Sequence, residues 1–460
     1  MKSKNLGQWL VTIGFLGILG AMFLSVIGQF LIRNVAIELL HMDNGLTNLS
    51  VTGADDYYVD VNWEEEYPYE EGQEPYENVM AKEAKEADAH VVHINNNPVA
   101  GGILSVVNLI DKYASDYLAF KEEMKVPSAI FDSLIGNRMV DESNIFLRTK
   151  REDLLLVRSP FKEEYTAEEL DVTELADSVE GLADYLKAQG IDFLYVQSPM
   201  KEDVRDASYM EQYGPAYSTL LADALMEELE TRNIDTLDLR KNLEESGRTV
   251  HESFFETDNH WNIDTALWAT GEIAKVCNEK YGFTFSLGFC NPENFFVKTF
   301  EDFVQGTIGR SVTLWNQGYD DIHVFVPKYD TNLRVEIPSR GLDLVGEFTE
   351  VLLNPVNFKN RSTVYHGAYD GFAYSKPPVT EITNYMDVQN NEKSILFLRE
   401  SFAGPVLAYL SLGVGRVTAV TPEGFTGSIE SYIAKEQPDL VIVLYTAPTT
   451  NQMSTKYDFK

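Results

Sequence analysis

The sequence predicts an α/β protein: a mostly parallel sheet covered by helices on both faces, with a β-rich insertion and a transmembrane helix ahead of it. Beyond residue 165, apolar strand-like runs alternate with amphipathic helical segments, which is typical of parallel sheets buried on both sides. Residues 283–390 interrupt this alternation with short β-like runs and form the predicted insertion. Residues 5–32 contain no charged side chain, which indicates the membrane helix.

The apolar stretch from Trp9 to Ile32 is long enough to cross a bilayer, because a spanning helix needs about 20 apolar residues. Lys2 and Lys4 precede it, so the positive-inside rule places the N-terminus in the cytoplasm and the remaining chain outside. A cleaved signal peptide is the alternative, but such a peptide has a shorter apolar region and a small-residue cleavage site. We therefore expect a single-pass protein of the cell membrane, with residues 1–34 as cytoplasmic N-terminus and anchor.

An acidic linker is predicted over residues 35–98. Its part 53–78 holds ten acidic and no basic residues, so it repels itself and has few aliphatic side chains for a core. A helical lead-in is expected over 99–165, and a globular domain over 166–460.

The elements of the globular domain follow in order. A helical pattern ends at Gly190, a residue suited to a helix C-cap, and a strand is expected over 191–199. A long amphipathic helix at about 209–232 precedes a strand at 234–239 and a helix at 265–282. The alternation then resumes after the insertion: strand 394–400, helix 402–413, strand 416–420, helix 427–437 and strand 439–447.

Composition excludes several classes of protein. The 460 residues include 37 basic and 72 acidic ones, a net charge of −35, which argues against a nucleic-acid binder. Two cysteines cannot form a disulfide scaffold or a multi-zinc protein. Because they are expected outside the cytoplasm, Cys277 and Cys290 form either a disulfide or two free thiols.

Two positions combine residue types that catalyse acyl transfer. Ser401 follows an apolar strand and precedes a helix, where backbone N–H groups can hold an oxyanion. Asp258 and His260 lie two residues apart; the imidazole can take a serine proton while the carboxylate fixes its tautomer. Taken alone, a serine in this position is also a common helix N-cap, and an Asp–His pair also fits a structural cluster.

In combination, these residues resemble a known family. TDNHWN (257–262) is similar to the D-x-H-W motif of the SGNH-like proteins of alginate O-acetylation and the related DHHW proteins, and ESF (400–402) to their later serine motif. SPMK (198–201) and GTIGR (306–310) resemble further family segments. The resemblance covers about residues 105–448 and implies an SGNH-hydrolase-like fold for the catalytic domain.

The resemblance also implies the site: a triad of Ser401, His260 and Asp258, with neither a metal nor a cofactor. Glu400 departs from the family pattern, which has Asp before the serine. Substrate contacts are expected from residues in or beside the motifs: Lys201, Trp261, Arg310 and Glu400.

The expected function is a membrane-anchored, extracytoplasmic O-acetyltransferase or acetylesterase acting on a cell-surface or exopolysaccharide. The resemblance implies transfer, with a multi-spanning membrane acyltransferase as the acyl donor. The residues themselves leave transfer and hydrolysis open, because exclusion of water decides between them. The alternative is a non-catalytic polysaccharide-binding or assembly protein that retains the fold, a reading that Glu400 favours. The net charge of −35 favours a neutral glycan or a locally basic groove, in which Lys201 or Arg310 would hold an acidic one.

The sequence gives weaker support for a catalytic or metal-binding role of other residues. Ser198 also ends a strand, but Pro199 removes a potential oxyanion N–H, so a structural role is expected. His90 and His93 have metal-ligand spacing on a helix but lack an obvious third ligand. His251 is a spare candidate base, expected at the surface.

Overall fold

The structure, a computed structural model, describes residues 144–148, 154–158, 165–203, 216–286, 288–312, 319–354, 357–358, 367–448 and 456–460. The predicted membrane anchor, the acidic linker and the pair His90 and His93 lie outside the described residues. In the described ranges, no helix is both long enough and apolar enough to cross a membrane.

The described chain alternates strands and helices. Its strands are β1 (Asn144–Arg148), β2 (Leu154–Arg158), β3 (Asp192–Gln197), β4 (Thr236–Asp238), β5 (Phe295–Val304), β6 (Asp320–Pro327), β7 (Leu333–Ile337), β8 (Leu342–Gly346), β9 (Val379–Asn384), β10 (Asn390–Arg399), β11 (Val414–Val420) and β12 (Leu440–Tyr445). Its α-helices are α1 (Thr173–Gln189), α2 (Tyr217–Thr231), α3 (Leu239–Glu245), α4 (Val250–Ser253), α5 (Ile263–Lys280), α6 (Thr307–Val312), α7 (Phe348–Val351), α8 (Ala403–Leu410) and α9 (Ile429–Glu436).

The central sheet has the strand order β4-β3-β12-β10-β11-β9-β7-β8 in the described part of the chain. From β4 to β11 neighbouring strands are parallel, whereas β9, β7 and β8 join in antiparallel pairs. Every residue of β12, LVIVLY, is buried, as expected for a parallel strand covered on both faces. The predicted α/β fold with a mostly parallel sheet is confirmed.

The predicted insertion, 283–390, contains β5 to β9 and divides into two parts. Strands β7, β8 and β9 extend the central sheet, while β5 and β6 pair as a separate antiparallel ribbon. The insertion therefore completes the sheet on one side instead of standing wholly apart from it.

The two faces of the sheet bury separate apolar cores. Ile395 and Phe397 of β10 point into the core that includes α5 and α8. Leu396 and Leu398 point into the opposite core, which includes α1, α2 and α9. Because side chains alternate along a strand, successive residues at the carboxyl end of β10 also face opposite sides of the sheet.

Two helix ends fix the segments that lead to the site. Gly190 ends α1 with φ of +75°, in the left-handed conformation that favours glycine, which confirms the predicted C-cap. Asn262 caps the start of α5, its side chain accepting a hydrogen bond from the Thr265 N–H at 2.9 Å. This cap fixes the chain just after the D-x-H-W segment.

Candidate active site

Ser401, His260 and Asp258 form a continuous hydrogen-bonded chain. The imidazole Nε2 of His260 lies 2.8 Å from the Ser401 Oγ. Its Nδ1 lies 2.5 Å from the Asp258 Oδ1. With a proton on Nδ1 donated to the carboxylate, Nε2 is left to accept the serine proton. The structure thus brings together the three residues of the predicted triad.

The D-x-H-W segment reaches this geometry as a turn, not as a strand. The Asp258 Oδ1 also accepts a hydrogen bond from the backbone N–H of His260 at 3.0 Å, so the side chain closes on its own chain two residues later. On either side, Phe254 and Trp261 pair in an antiparallel bridge.

The segment that begins with Gly306 holds the carboxylate of Asp258 from the other side. The backbone N–H of Thr307 donates to Asp258 Oδ2 at 2.7 Å, and the N–H of Gly306 donates to the Thr257 hydroxyl at 2.8 Å. A Cβ on Gly306 would lie 2.2 Å from the Asp258 Cβ, so only glycine permits this approach. The GTIGR segment therefore orients the triad acid.

Two buried side chains, Asp320 and Lys201, form hydrogen bonds with the backbone just before Asp258. Asp320 accepts hydrogen bonds from the N–H of Glu256 at 2.5 Å and the N–H of Thr257 at 2.9 Å, and from the Thr257 hydroxyl. Lys201 donates to the Glu256 carbonyl oxygen at 2.8 Å and is 2% exposed. Burial raises the pKa of Asp320 to about 6. Lys201, predicted as a substrate contact, instead binds the backbone of the catalytic turn, because it is buried there.

Aromatic side chains fix the plane of the His260 ring. Tyr369 stacks on it with ring centres 4.1 Å apart, and Phe402 packs beside it at 4.8 Å. The Tyr369 hydroxyl accepts a hydrogen bond from the Trp261 indole N–H at 2.9 Å and donates to the Phe402 carbonyl at 3.0 Å. Trp261, predicted to contact substrate, is fully buried and ties the His260 turn to the Ser401 turn.

Asp258 and His260 each stabilise the charged form of the other. Burial alone would raise the pKa of Asp258, but the adjacent imidazole and hydrogen bonds from His260 and Thr307 outweigh burial and hold that pKa well below its usual range. Burial alone would lower the pKa of His260, but the charge and hydrogen bond of Asp258 outweigh it and raise that pKa. Asp258 is therefore ionised, and a carboxylate in this position can stabilise an imidazolium formed by proton transfer.

The Ser401 turn offers backbone donors for an oxyanion. The N–H groups of Ala403 and Gly404 donate within the turn to the carbonyls of Glu400 and Ser401, each at 3.2 Å. The N–H groups of Ser401 and Phe402 have no acceptor among the described residues. Two such donors beside the nucleophile are what a tetrahedral acyl intermediate requires.

Arg399 and Glu400, which precede the serine, lie on opposite faces of the sheet. Arg399 donates from Nη1 to the Ser375 carbonyl at 2.6 Å. Glu400 forms an ion pair with Lys456 and accepts a hydrogen bond from the N–H of Thr446 at 2.5 Å. Glu400 was predicted as a substrate contact, but both of its carboxylate oxygens are engaged by the protein and the residue is buried.

The remaining predicted residues lie as follows. The side chain of Arg310 lies outside the description. Ser198 is buried and donates to the Tyr445 carbonyl at 3.1 Å, a structural role as expected. His251 is about half exposed and lies 3.5 Å from the Glu256 carboxylate. Cys277 and Cys290 are free thiols. Among the described residues, no cluster of three or more His, Cys, Asp or Glu is suited to a metal ion.

Several residues of the site were missed by sequence reasoning. Gly306 and Thr307 lie in the GTIGR segment, whose glycines were a usable signal of close backbone approach. Asp320, Tyr369 and Lys456 have no local signal, since their roles depend on contacts with residues at least 33 positions away.

Part of the chain matches a known protein family. Residues 155–288 match the family model described as the SGNH hydrolase-like domain of the acetyltransferase AlgX. This range contains Asp258 and His260 and ends before Ser401. No curated protein sequence is significantly similar to the chain.

Solved structures share the fold at low sequence identity. PatB1 of Bacillus cereus, solved with a sulfonyl adduct, is 15% identical with a TM-score of 0.54, over 69% of this chain and 99% of PatB1. A DHHW family protein from Eubacterium siraeum is 10% identical with a TM-score of 0.50, over 68% of this chain and 93% of that protein. The resemblance to the SGNH-like alginate O-acetylation and DHHW proteins is therefore confirmed, through the match of residues 155–288 to the AlgX family model and the shared fold.

Proposed function

We propose that the chain is a polysaccharide O-acetyltransferase, or an acetylesterase, that works through an acetylated Ser401. The observation that carries the proposal is the hydrogen-bonded chain from the Ser401 Oγ through His260 to Asp258, with contacts of 2.8 and 2.5 Å. The match to an acetyltransferase domain model supports the same reaction class.

The chemistry runs in two steps. His260 takes the proton of Ser401 as its Oγ attacks the acetyl carbonyl, and the N–H groups of Ser401 and Phe402 hold the oxyanion. His260 then gives that proton to the leaving group, and an acetyl ester remains on Ser401. In the second step His260 deprotonates a sugar hydroxyl, which attacks the ester. His260 then returns this proton to the departing Ser401 Oγ, and water in place of the sugar gives hydrolysis. Asp258 remains ionised throughout.

We further propose that this domain works outside the cytoplasm on a membrane anchor. The uncharged stretch from Trp9 to Ile32, with Lys2 and Lys4 before it, supports that orientation. A multi-spanning membrane acyltransferase as acyl donor is supported by the family resemblance. Protease accessibility of intact spheroplasts tests the orientation: cleavage of the 166–460 domain is expected, and full protection contradicts it.

A neutral glycan is the proposed acceptor. The net charge of −35 repels an acidic polymer, and Lys201 is buried against the Glu256 carbonyl, where it cannot meet a polymer carboxylate. An acceptor whose hydroxyls carry no neighbouring charge fits these two observations.

The test supplies p-nitrophenyl acetate as donor with neutral or uronate oligosaccharides as acceptors, and measures acetylated sugar by mass spectrometry. Transfer to the neutral sugar is expected from the wild type, and none from Ser401→Ala. Release of acetate without acetylated sugar assigns the esterase. If neither reaction depends on Ser401, the rival function, a non-catalytic polysaccharide-binding protein, is favoured.

A further inference from the structure

The residue before the nucleophile is tied to the end of the described chain. Lys456 forms an ion pair with Glu400, and the two side chains are 11% and 8% exposed. Glu400 directly precedes Ser401, and its carbonyl accepts the N–H of Ala403 in the same turn. A change in the position of Glu400 would therefore also move the turn that carries the Ser401 Oγ.

The segment that carries Lys456 is fixed independently of Glu400. Tyr457 is 1% and Phe459 2% exposed, both packed in the core opposite the triad. The hydroxyls of Tyr457 and Tyr195 lie 2.9 Å apart, and the Tyr445 hydroxyl donates to the Lys456 carbonyl at 2.8 Å. These contacts anchor the segment to β12, which lies beside β10 in the sheet, and to β3 on the other side of β12.

The carboxylate of Glu400 is satisfied on both oxygens. Oε2 accepts from Lys456, and Oε1 accepts from the N–H of Thr446, just after β12. Burial alone would raise the pKa of Glu400, but the charge of Lys456 and these hydrogen bonds outweigh burial and hold it below its usual value. Removing Lys456 would leave a buried carboxylate short of a partner, which strongly favours rearrangement of the turn.

We propose that residues 456–460 brace the nucleophile turn from the face opposite the triad, with Lys456 as a positioning residue for Ser401. This rests on the proposed function for the chemical role of the serine. This contact accounts for Glu400 at the position where the family pattern has Asp. The longer glutamate side chain reaches Lys456 on the face of the sheet opposite the triad.

The test compares Lys456→Met, which keeps the length of the side chain without its charge, with Lys456→Arg, which keeps the charge. Arg416→Met is the matched control, because Arg416 also forms ion pairs on this sheet, with Glu381 at 2.7 Å and Glu436 at 2.6 Å, away from the site. Each full-length variant is assayed below its Tm for the rate of serine labelling by a sulfonyl fluoride. Hydrogen exchange of the peptide containing residues 400–403 is measured in parallel.

Lys456→Met is expected to label about 10- to 100-fold more slowly and to exchange faster over 400–403, since small displacements of a reacting group cost this much. Lys456→Arg is expected to recover most of the rate, and Arg416→Met to match the wild type in both measurements. Unchanged exchange over 400–403 in Lys456→Met, or equal slowing in Arg416→Met, would overturn the brace. A wild type that is never labelled at Ser401 would instead sink the proposed function, while hydrogen exchange still decides the brace.

Discussion

The Nε2 atom of His260 lies 2.8 Å from the Oγ of Ser401, although the two residues are 141 positions apart in the chain. One comes from a turn before α5 and the other from the turn after β10. Tyr369 and Trp261 connect the two turns through the carbonyl of Phe402, so the distance depends on a buried network as well as on the sheet.

Replacing Asp258 by Asn should lower the rate of acetyl transfer about 10⁴-fold, because the amide favours the wrong tautomer of the imidazole. Asp264→Asn is the matched control, since Asp264 holds His323 Nδ1 at 2.7 Å outside the site. Steady-state kinetics with p-nitrophenyl acetate measure both. An equal loss in the two variants would contradict the assigned role.

The reactivity of Ser401 should rise with pH through a midpoint above 6.5, the usual pKa of histidine. Asp258 raises the pKa of His260, so the imidazole becomes a neutral base only at higher pH. Rates of sulfonyl fluoride labelling between pH 5 and 9 give the midpoint. In Asp258→Asn the midpoint should move down, and a midpoint below 6.5 in the wild type would refute this account of His260.

Gly306→Ala should abolish most activity, because the added Cβ would lie 2.3 Å from the Asp258 Oδ2 and 2.5 Å from the Thr257 carbonyl. Gly181→Ala in α1 is the control. No atom lies within 4 Å of the Cβ that alanine would add there, and alanine stabilises a helix by about 1 kcal/mol relative to glycine. Kinetics and Tm are measured for both. Wild-type activity in Gly306→Ala would mean that the GTIGR segment does not constrain the triad acid.

The free energy of unfolding should fall as the pH rises towards neutrality, because ionising the buried Asp320 is unfavourable in the folded protein. Its pKa is raised from 3.8 to about 6, so its contribution is fully present below pH 3.8 and lost as the pH rises through about 6. Asparagine binds no proton, so the stability of the wild type relative to Asp320→Asn should fall by about 2 kcal/mol between pH 4 and 7.

Urea unfolding at both pH values measures this difference. Asp321→Asn, at the exposed neighbouring position, is the surface control. A constant difference between the wild type and Asp320→Asn would contradict the raised pKa.

The parallel strands and their helices were predictable because each depends on local sequence: strands on runs of apolar residues, and helices on the spacing of apolar residues. The predicted strand 439–447 and helix 265–282 match β12 and α5 to within two residues at each end. The pairing of β7, β8 and β9 onto the sheet was not predictable, because pairing depends on which distant strand lies alongside.

The proximity of Ser401, His260 and Asp258 was predictable from short motifs, whereas the residues that hold them in place were not. Asp258 and His260 lie two residues apart in one motif, and Ser401 follows an apolar strand. Lys201 was assigned to substrate because a lysine after a strand gives no sign of its burial. The bond from Lys201 to the Glu256 carbonyl is visible only in the folded chain.

The most direct test of the central claim is to treat the protein with a sulfonyl fluoride and map the adduct by peptide mass spectrometry. The wild type should carry one adduct, on Ser401, while His260→Ala should react far more slowly and Ser401→Ala should carry none. An unlabelled wild-type Ser401, or equal labelling of Ser401 in His260→Ala, would contradict a serine nucleophile activated by His260.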